Sequence, residues 1–219
     1  MDNNTMTIIK KSGMYLLVIA LLGGAVFGLA KLSENKAAAP SGAQTINAVS
    51  NTAWSRGKLD AKVTVVEYAD FQCPACRAYQ PLVSELYREY GDRVRFEYRH
   101  FPLNSIHQNA EEAAMAAEAA GEQGKFWEMT DMLFAEQAEW SPLGSPEEVF
   151  VEYAGKLGLD TARFSADLKS KDLLEKIRAS AKEGTAAGIN STPSFFLNGS
   201  RIQPKNYDEF KGAVEQALQ

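Results

Sequence analysis

Residues 63–99 constrain the fold more tightly than any other part of the chain. Val63 to Tyr68 (VTVVEY) is a continuous, β-branched run, which suits a strand buried on both faces. After a short connection the spacing turns helical from Pro74 to Tyr90, and Gly91 ends it. Pro81 falls inside this helix, where it removes a backbone donor and predicts a kink. Val94, Phe96 and Tyr98 then alternate with Arg95, Glu97 and Arg99, predicting a second strand with one polar face. Strand, helix, strand in this order is a βαβ unit, which implies parallel pairing and a right-handed crossover.

A helical block follows. Asn109–Ala120 is alanine-rich, and 125–137, 145–157, 161–168 and 172–187 each carry a helical period. Ser145 ahead of Pro146, Glu147 and Glu148 predicts a capped helix start. The chain returns to strand at Ser194–Leu197, turns at Asn198-Gly199, continues at Arg201–Gln203 and closes with a helix over 207–218. No internal repeat is visible.

The chain has only two cysteines among its 219 residues, and both lie in Cys73-Pro74-Ala75-Cys76, at the join of the first strand and helix. A helix amino terminus carries unpaired N–H groups and partial positive charge, and thiolates there have pKa values of about 3.5–7.5. Cys73 is therefore the expected nucleophile and exposed partner. Cys76, one turn deeper, is the expected resolving thiol. Pro74 at the helix start forfeits a donor that would be unpaired in any case.

Other uses of the pair fit its surroundings less well. Zinc wants four ligands, and only His100 and His107 remain to add, with a spacer longer than usual. A c-type haem needs His where Arg77 stands. An inert disulfide across two residues would be strained and reducible. The reading that remains is redox exchange with the pair itself as carrier, needing no metal or organic cofactor. Asp70 and Gln72 are loop residues to which no chemistry is assigned. His100 and His107 read as packing or helix-end residues, and Trp127, Met129 and Met132 as core. The net charge of −5 and scattered basic residues argue against a nucleic-acid partner.

The amino-terminal part has a different character. Residues 1–13 form a tail containing Lys10 and Lys11, and Met14 to Ala30 is apolar and uncharged for seventeen residues. Such a stretch suits an uncleaved transmembrane anchor or a cleaved signal segment, and its length favours the anchor. Lys31 and Lys36 nearly balance Lys10 and Lys11. The expected orientation, amino terminus inside and domain outside, therefore rests on the short tail and signal-like layout. Residues 31–53 are small and polar, which predicts a flexible linker whose last twenty or so residues reach ~25 Å.

Several segments resemble one family. Residues 56–76 (RGKLDAKVTVVEYADFQCPAC) resemble the active-site region of DsbA-like proteins of the thioredoxin superfamily. The stretch RHFPLNSIHQNAEEAAMAAEAAGEQGKFWEMTDMLFAEQ resembles their helical insertion with its flanks, and GINSTPSFFLNG (188–199) their cis-proline loop and following strand. The resemblance runs from Trp54 to Leu218. It implies an α/β thioredoxin fold (βαβ…ββα) over residues 54–219, with a helical insertion at about 104–187. It also implies that Pro193 is a cis-proline beside the cysteine pair. Thr192, Pro74 and Ala75 would then help hold a substrate strand. Without the resemblance, Thr192-Pro193 would be read as an ordinary trans turn.

Glu67, six residues before Cys73, matches the family's buried acid. A desolvated Glu67 would have a raised pKa and accept the Cys76 proton through water, whereas a half-exposed carboxylate at a strand end would have no such role. The implied function is a membrane-tethered, extracytoplasmic oxidoreductase that introduces disulfides into unfolded or exported proteins and is recharged by a redox partner. A reductase or isomerase with the same residues remains open, as does a peptide-binding module without turnover.

Overall fold

The computed structural model describes residues 44–219. The tail 1–13, the apolar run 14–30 and the linker residues 31–43 lie outside the described residues, and among the described residues no helix is long and apolar enough to cross a membrane.

Five strands form one sheet: β1 (Trp54–Gly57), β2 (Val63–Ala69), β3 (Val94–His100), β4 (Ser194–Leu197) and β5 (Ser200–Ile202), in the order β1-β3-β2-β4-β5. The β-branched run becomes β2, flanked by β3 and β4 and buried along its whole length. Helix α1 (Pro74–Tyr90) joins β2 to β3, and the two strands pair in parallel. Strands β4 and β5 add in antiparallel fashion. Their turn places Asn198 at φ 49° and Gly199 at φ 83°, the left-handed conformation that a tight two-residue hairpin requires at both positions. Strand β1, which periodicity does not announce, pairs antiparallel with β3.

Between β3 and β4 the described chain is helical: α2 (Ala110–Gly121), α3 (Phe126–Ala135), α4 (Gln137–Trp140), α5 (Glu147–Lys156), α6 (Thr161–Asp167) and α7 (Lys171–Ala186). Helix α8 (Tyr207–Ala217) closes the fold. Asp160, Ser170 and Asn206 cap α6, α7 and α8 through side chains that accept backbone N–H bonds. Ser145 does not cap α5 as expected. Pro146 occupies the cap position, and its carbonyl accepts the first helical bond from Phe150.

The two faces of the sheet are covered differently. Val63, Val65, Phe96 and Phe195 pack with Val83 and Leu86 of α1 and Phe210 and Val214 of α8. Val66, Tyr68 and Phe196 face α7, whose Gly184 comes so near that a Cβ there would meet the rings of Phe101 and Tyr68 at 2.8–2.9 Å. A third apolar cluster fills the helical insertion, and both cysteines belong to it.

The polar face expected on β3 is present but buried, whereas the linker expectation is corrected. Glu97 and Arg99 are buried, with Arg99 Nη2 2.7 Å from Glu97 Oε2 and Arg95 Nη2 2.8 Å from Glu97 Oε1. Mutual ion pairing is what allows these charges inside. The segment 44–53, expected to belong to a flexible linker, is bonded to the domain. Ile46 N donates to Gly199 O, Arg99 Nη2 donates to Asn47 O, Gln44 Nε2 donates to Gly188 O, and Ser50 Oγ donates to Glu183. The buried Arg99 and the free edge of β5 give this segment donors and acceptors that its small, polar composition did not advertise.

Candidate active site

Cys73 is the N-cap residue of α1, with φ −71° and ψ 121°, and Pro74 opens the helix. The Cys73 carbonyl accepts from Arg77 N and so begins the helical ladder. The thiol therefore sits where the first N–H groups of a 17-residue helix converge. Cys73 retains 7% exposure and Cys76 none, so the nucleophile, expected to be exposed, shows only an edge to solvent. Neither sulfur is bonded to another, and the geometry is that of the dithiol. Pro74 and Ala75 lie exposed beside it.

The peptide Thr192–Pro193 is cis, and its loop lies against the first cysteine, with Cys73 Sγ 3.5 Å from Thr192 O. As a thiol, Cys73 donates to that carbonyl. As a thiolate it can instead accept from the Thr192 hydroxyl, which has no other partner among the described residues. A hydrogen bond from the Cys76 thiol brings the Cys73 pKa down from an ordinary 9.0 to about 5, opposed by burial and aided by Thr192 and the Cys76 and Ala75 N–H groups. Cys76 moves the other way. Burial holds it well above the ordinary range, and the neighbouring Cys73 and Glu67 add to this. The pair is thus split into one thiol ready to ionise and one reluctant to do so.

Glu67 stands in the middle of β2 and is 5% exposed, which removes the half-exposed alternative. It is the register partner of Tyr98 on β3 and Phe195 on β4. Burial raises its pKa from 4.5 to about 8, against the pull of the Arg56 guanidinium and with a smaller push from Cys73. Glu67 Oε1, the Tyr98 hydroxyl and the Thr130 hydroxyl have no hydrogen-bond partner among the described residues. All three residues line a cavity of about 10 Å³, on the scale of one water. Arg56, sandwiched between the rings of Tyr87 and Trp127 at 4.1 and 4.2 Å, lines the same cavity. Sequence reasoning missed Arg56, Tyr98 and Thr130. Only the alternation of β3 hinted that Tyr98 shares a face with Glu67.

The raised value of Glu67 has a defined sign. A carboxyl that holds its proton more tightly when folded contributes stability that is complete below its ordinary pKa and is lost as pH rises toward 8, at about 1.4 kcal/mol per unit. In the reduced protein Cys73 acts oppositely: its lowered value gives stability present above pH 9 and lost as pH falls toward 5. Oxidation removes that thiol titration. In oxidised protein, Glu67→Gln is therefore expected to flatten the fall of unfolding free energy between pH 4.5 and 8, measured by urea titration at a series of pH values. An unchanged slope would mean that Glu67 ionises equally freely in both states.

His100 and His107 do not converge on the cysteines as metal ligands would. His100 Nε2 pairs with Glu118 at 3.0 Å and His107 Nδ1 with Asp70 at 2.7 Å. Met129 is core, as read, and Trp127 packs partly against it.

An ionisable cysteine at a helix start, a buried resolving cysteine, a buried carboxyl on the preceding strand and a cis-proline loop alongside form a site of DsbA-like thioredoxin fold whose chemistry suits thiol–disulfide exchange. A family model described as Thioredoxin matches residues 49–216, and the chain belongs to the thioredoxin family. Among solved structures it is similar to oxidised BdbD from Bacillus subtilis, with 23% identity, 80% of this chain and 98% of that one covered, and a TM-score of 0.69. It is also similar to a thioredoxin-like oxidoreductase from Silicibacter pomeroyi, with 27% identity, coverage of 78% and 95%, and a TM-score of 0.65. Pseudomonas aeruginosa DsbA2 gives 25% identity, coverage of 74% and 92%, and a TM-score of 0.60. Among curated proteins, Na(+)/H(+) antiporter NhaA 3 of Salinispora tropica is 42% identical over 164 residues, which is 74% of this chain and 24% of that protein. NhaA 1 of Mycolicibacterium gilvum is 39% identical over 150 residues, 67% of this chain and 23% of that protein. The chain thus spans about a quarter of the length of these curated relatives.

Proposed function

We propose that the protein is a membrane-tethered, extracytoplasmic oxidase that introduces disulfides into exported proteins. The observation that carries the direction is the split between the thiols. Cys73, lowered to about 5, is stable as a thiolate, which favours the reduced enzyme and so makes its disulfide a strong oxidant.

A substrate thiolate attacks Cys73 Sγ of the enzyme disulfide, a substrate–Cys73 bond forms, and the Cys73–Cys76 bond breaks. Cys76 departs and takes a proton, which the neutral Glu67 supplies, being near enough for its charge to act on the Cys76 thiol. A second substrate thiolate attacks the substrate sulfur of the mixed disulfide and expels Cys73 as its stabilised thiolate. The substrate loses two electrons and the enzyme gains them, and a redox partner must later remove them. Pro193, Thr192, Pro74 and Ala75 border the attacked sulfur. A cavity of about 350 Å³ continues from Pro193 past Tyr79 and Phe195 and gives an extended peptide room to lie.

Tether and compartment rest on the apolar run Met14–Ala30. Protease added outside intact cells should reach the carboxy-terminal domain, and protection of that domain would refute the placement. The direction is tested by equilibration with glutathione. A potential near the ~−120 mV of DsbA is expected, and one near the ~−270 mV of thioredoxin would reverse the assignment to reductase.

A further inference from the structure

The turn that carries Cys73 is gripped by side chains of the helical insertion. Gln137, 5% exposed at the start of α4, donates Nε2 to Phe71 O at 2.6 Å and to Cys73 O at 3.1 Å. Gln72 donates Nε2 to Ser141 O at 2.9 Å and Ser141 Oγ at 3.1 Å, while its Oε1 accepts from Asn109 N at 2.7 Å. Asn109 in turn donates Nδ2 to Leu143 O at 2.8 Å and Ser141 O at 3.2 Å. The Asp70 carboxylate accepts from Gln72 N at 2.7 Å and Leu103 N at 2.9 Å, and pairs with His107. Each residue from Asp70 to Cys73 is thereby bonded to the insertion or to the loop that leads into it.

Holding a fold together would not require these targets. Gln137 bridges the carbonyls on either side of Gln72, and one of them belongs to the N-cap residue itself. That same Cys73 carbonyl accepts from Arg77 N and starts α1. Fixing it fixes the direction of the Cys73 Cα–Cβ bond relative to the N–H groups of Ala75 and Cys76 and to Thr192. Buried and bonded at both ends, such a network tolerates little displacement.

We propose that Gln137 is a positioning residue through which the helical insertion sets the redox properties of Cys73, with Gln72 and Asn109 holding the turn around it. The inference rests on the reading of Cys73 as the reactive sulfur of the pair, stabilised as a thiolate when the enzyme is reduced. Gln137 never touches the substrate. It acts by keeping the sulfur over the helix amino terminus, where ionisation is favoured.

The test uses the full chain with Gln137→Met and Gln72→Met, which keep side-chain volume and remove the amide. Ser180→Ala, a buried change in α7 away from the turn, is the control. The Cys73 pKa is read from the pH dependence of alkylation and the potential from glutathione equilibration, with the urea midpoint recorded separately. Gln137→Met is expected to raise the Cys73 pKa by about one unit, a tenfold loss of preference for the thiolate, and to make the potential more negative by ~30 mV. Gln72→Met should shift both the same way, and Ser180→Ala should shift neither. Folded variants with wild-type pKa and potential would overturn the proposal, whatever their urea midpoints. If Gln137→Met does not fold, Gln72→Met decides by the same readings. If wild-type Cys73 itself titrates as an ordinary thiol, the reading of Cys73 as a low-pKa nucleophile fails first, and the same titration separates the two failures.

Discussion

Cys73→Ala is expected to reduce disulfide exchange to the uncatalysed background, whereas reduced Cys76→Ala, offered a disulfide substrate, is expected to accumulate a mixed disulfide through Cys73. The difference follows from the two environments. Cys73 has an edge at the surface, accepts hydrogen bonds as a thiolate and has a pKa lowered to about 5, so it is ionised at neutral pH. Cys76 has no exposure and resists ionisation because burial penalises its charge. Attack from outside reaches the first sulfur, and when a disulfide substrate is offered to the reduced protein Cys76 is the thiol placed to release the adduct. Non-reducing electrophoresis and mass spectrometry of the adduct provide the check. Equal adduct formation by Cys73→Ala would remove the assignment. Because Cys76 hydrogen bonding is the largest contribution to the low Cys73 value, Cys76→Ala should also form its adduct more slowly below neutral pH.

The second large effect concerns stability. Glu97→Ala is expected to destabilise the domain by about 3–5 kcal/mol, the range for breaking a buried ion pair from one side. Arg99 is 1% exposed and binds Glu97 through both Nε and Nη2, at 3.2 and 2.7 Å, while Arg95 holds the other carboxylate oxygen. Without the carboxylate, a guanidinium stays inside with Tyr68 and the Asn47 carbonyl as its remaining hydrogen-bond partners among the described residues. The double change Glu97→Leu with Arg99→Met should recover much of the loss, since well-packed apolar residues replace buried pairs at little cost. Urea unfolding measures both. A Glu97→Ala loss under 1 kcal/mol would place this charge network effectively in solvent.

The βαβ unit was legible because its signals are local. A β-branched run needs no partner to be seen, and Pro74 to Tyr90 was bounded correctly because a proline opens it and a glycine follows it. The cysteine pair was legible as chemistry for the same reason, since the N-cap position belongs to its own helix. Glu67 was half legible: its place on the strand could be read, but its burial depends on α1, β3 and β4 closing around it. Strand β1 was missed because four residues, WSRG, carry no periodicity and gain their partner only from β3.

The sequence by itself determined the redox pair, the strand–helix joint that presents it and the order of elements around it, because all three depend on neighbours along the chain. Only the tertiary structure decided the environment that gives the pair its asymmetry. Thr192 comes to Cys73 from 119 residues away, Gln137 from 64, and Arg56 reaches the cavity of Glu67 from another strand. Contacts between such distant residues leave no period or spacing to read. They arise when the insertion packs onto the active-site turn, and burial then moves Cys76 and Glu67 away from their ordinary proton affinities while the converging hydrogen bonds lower that of Cys73.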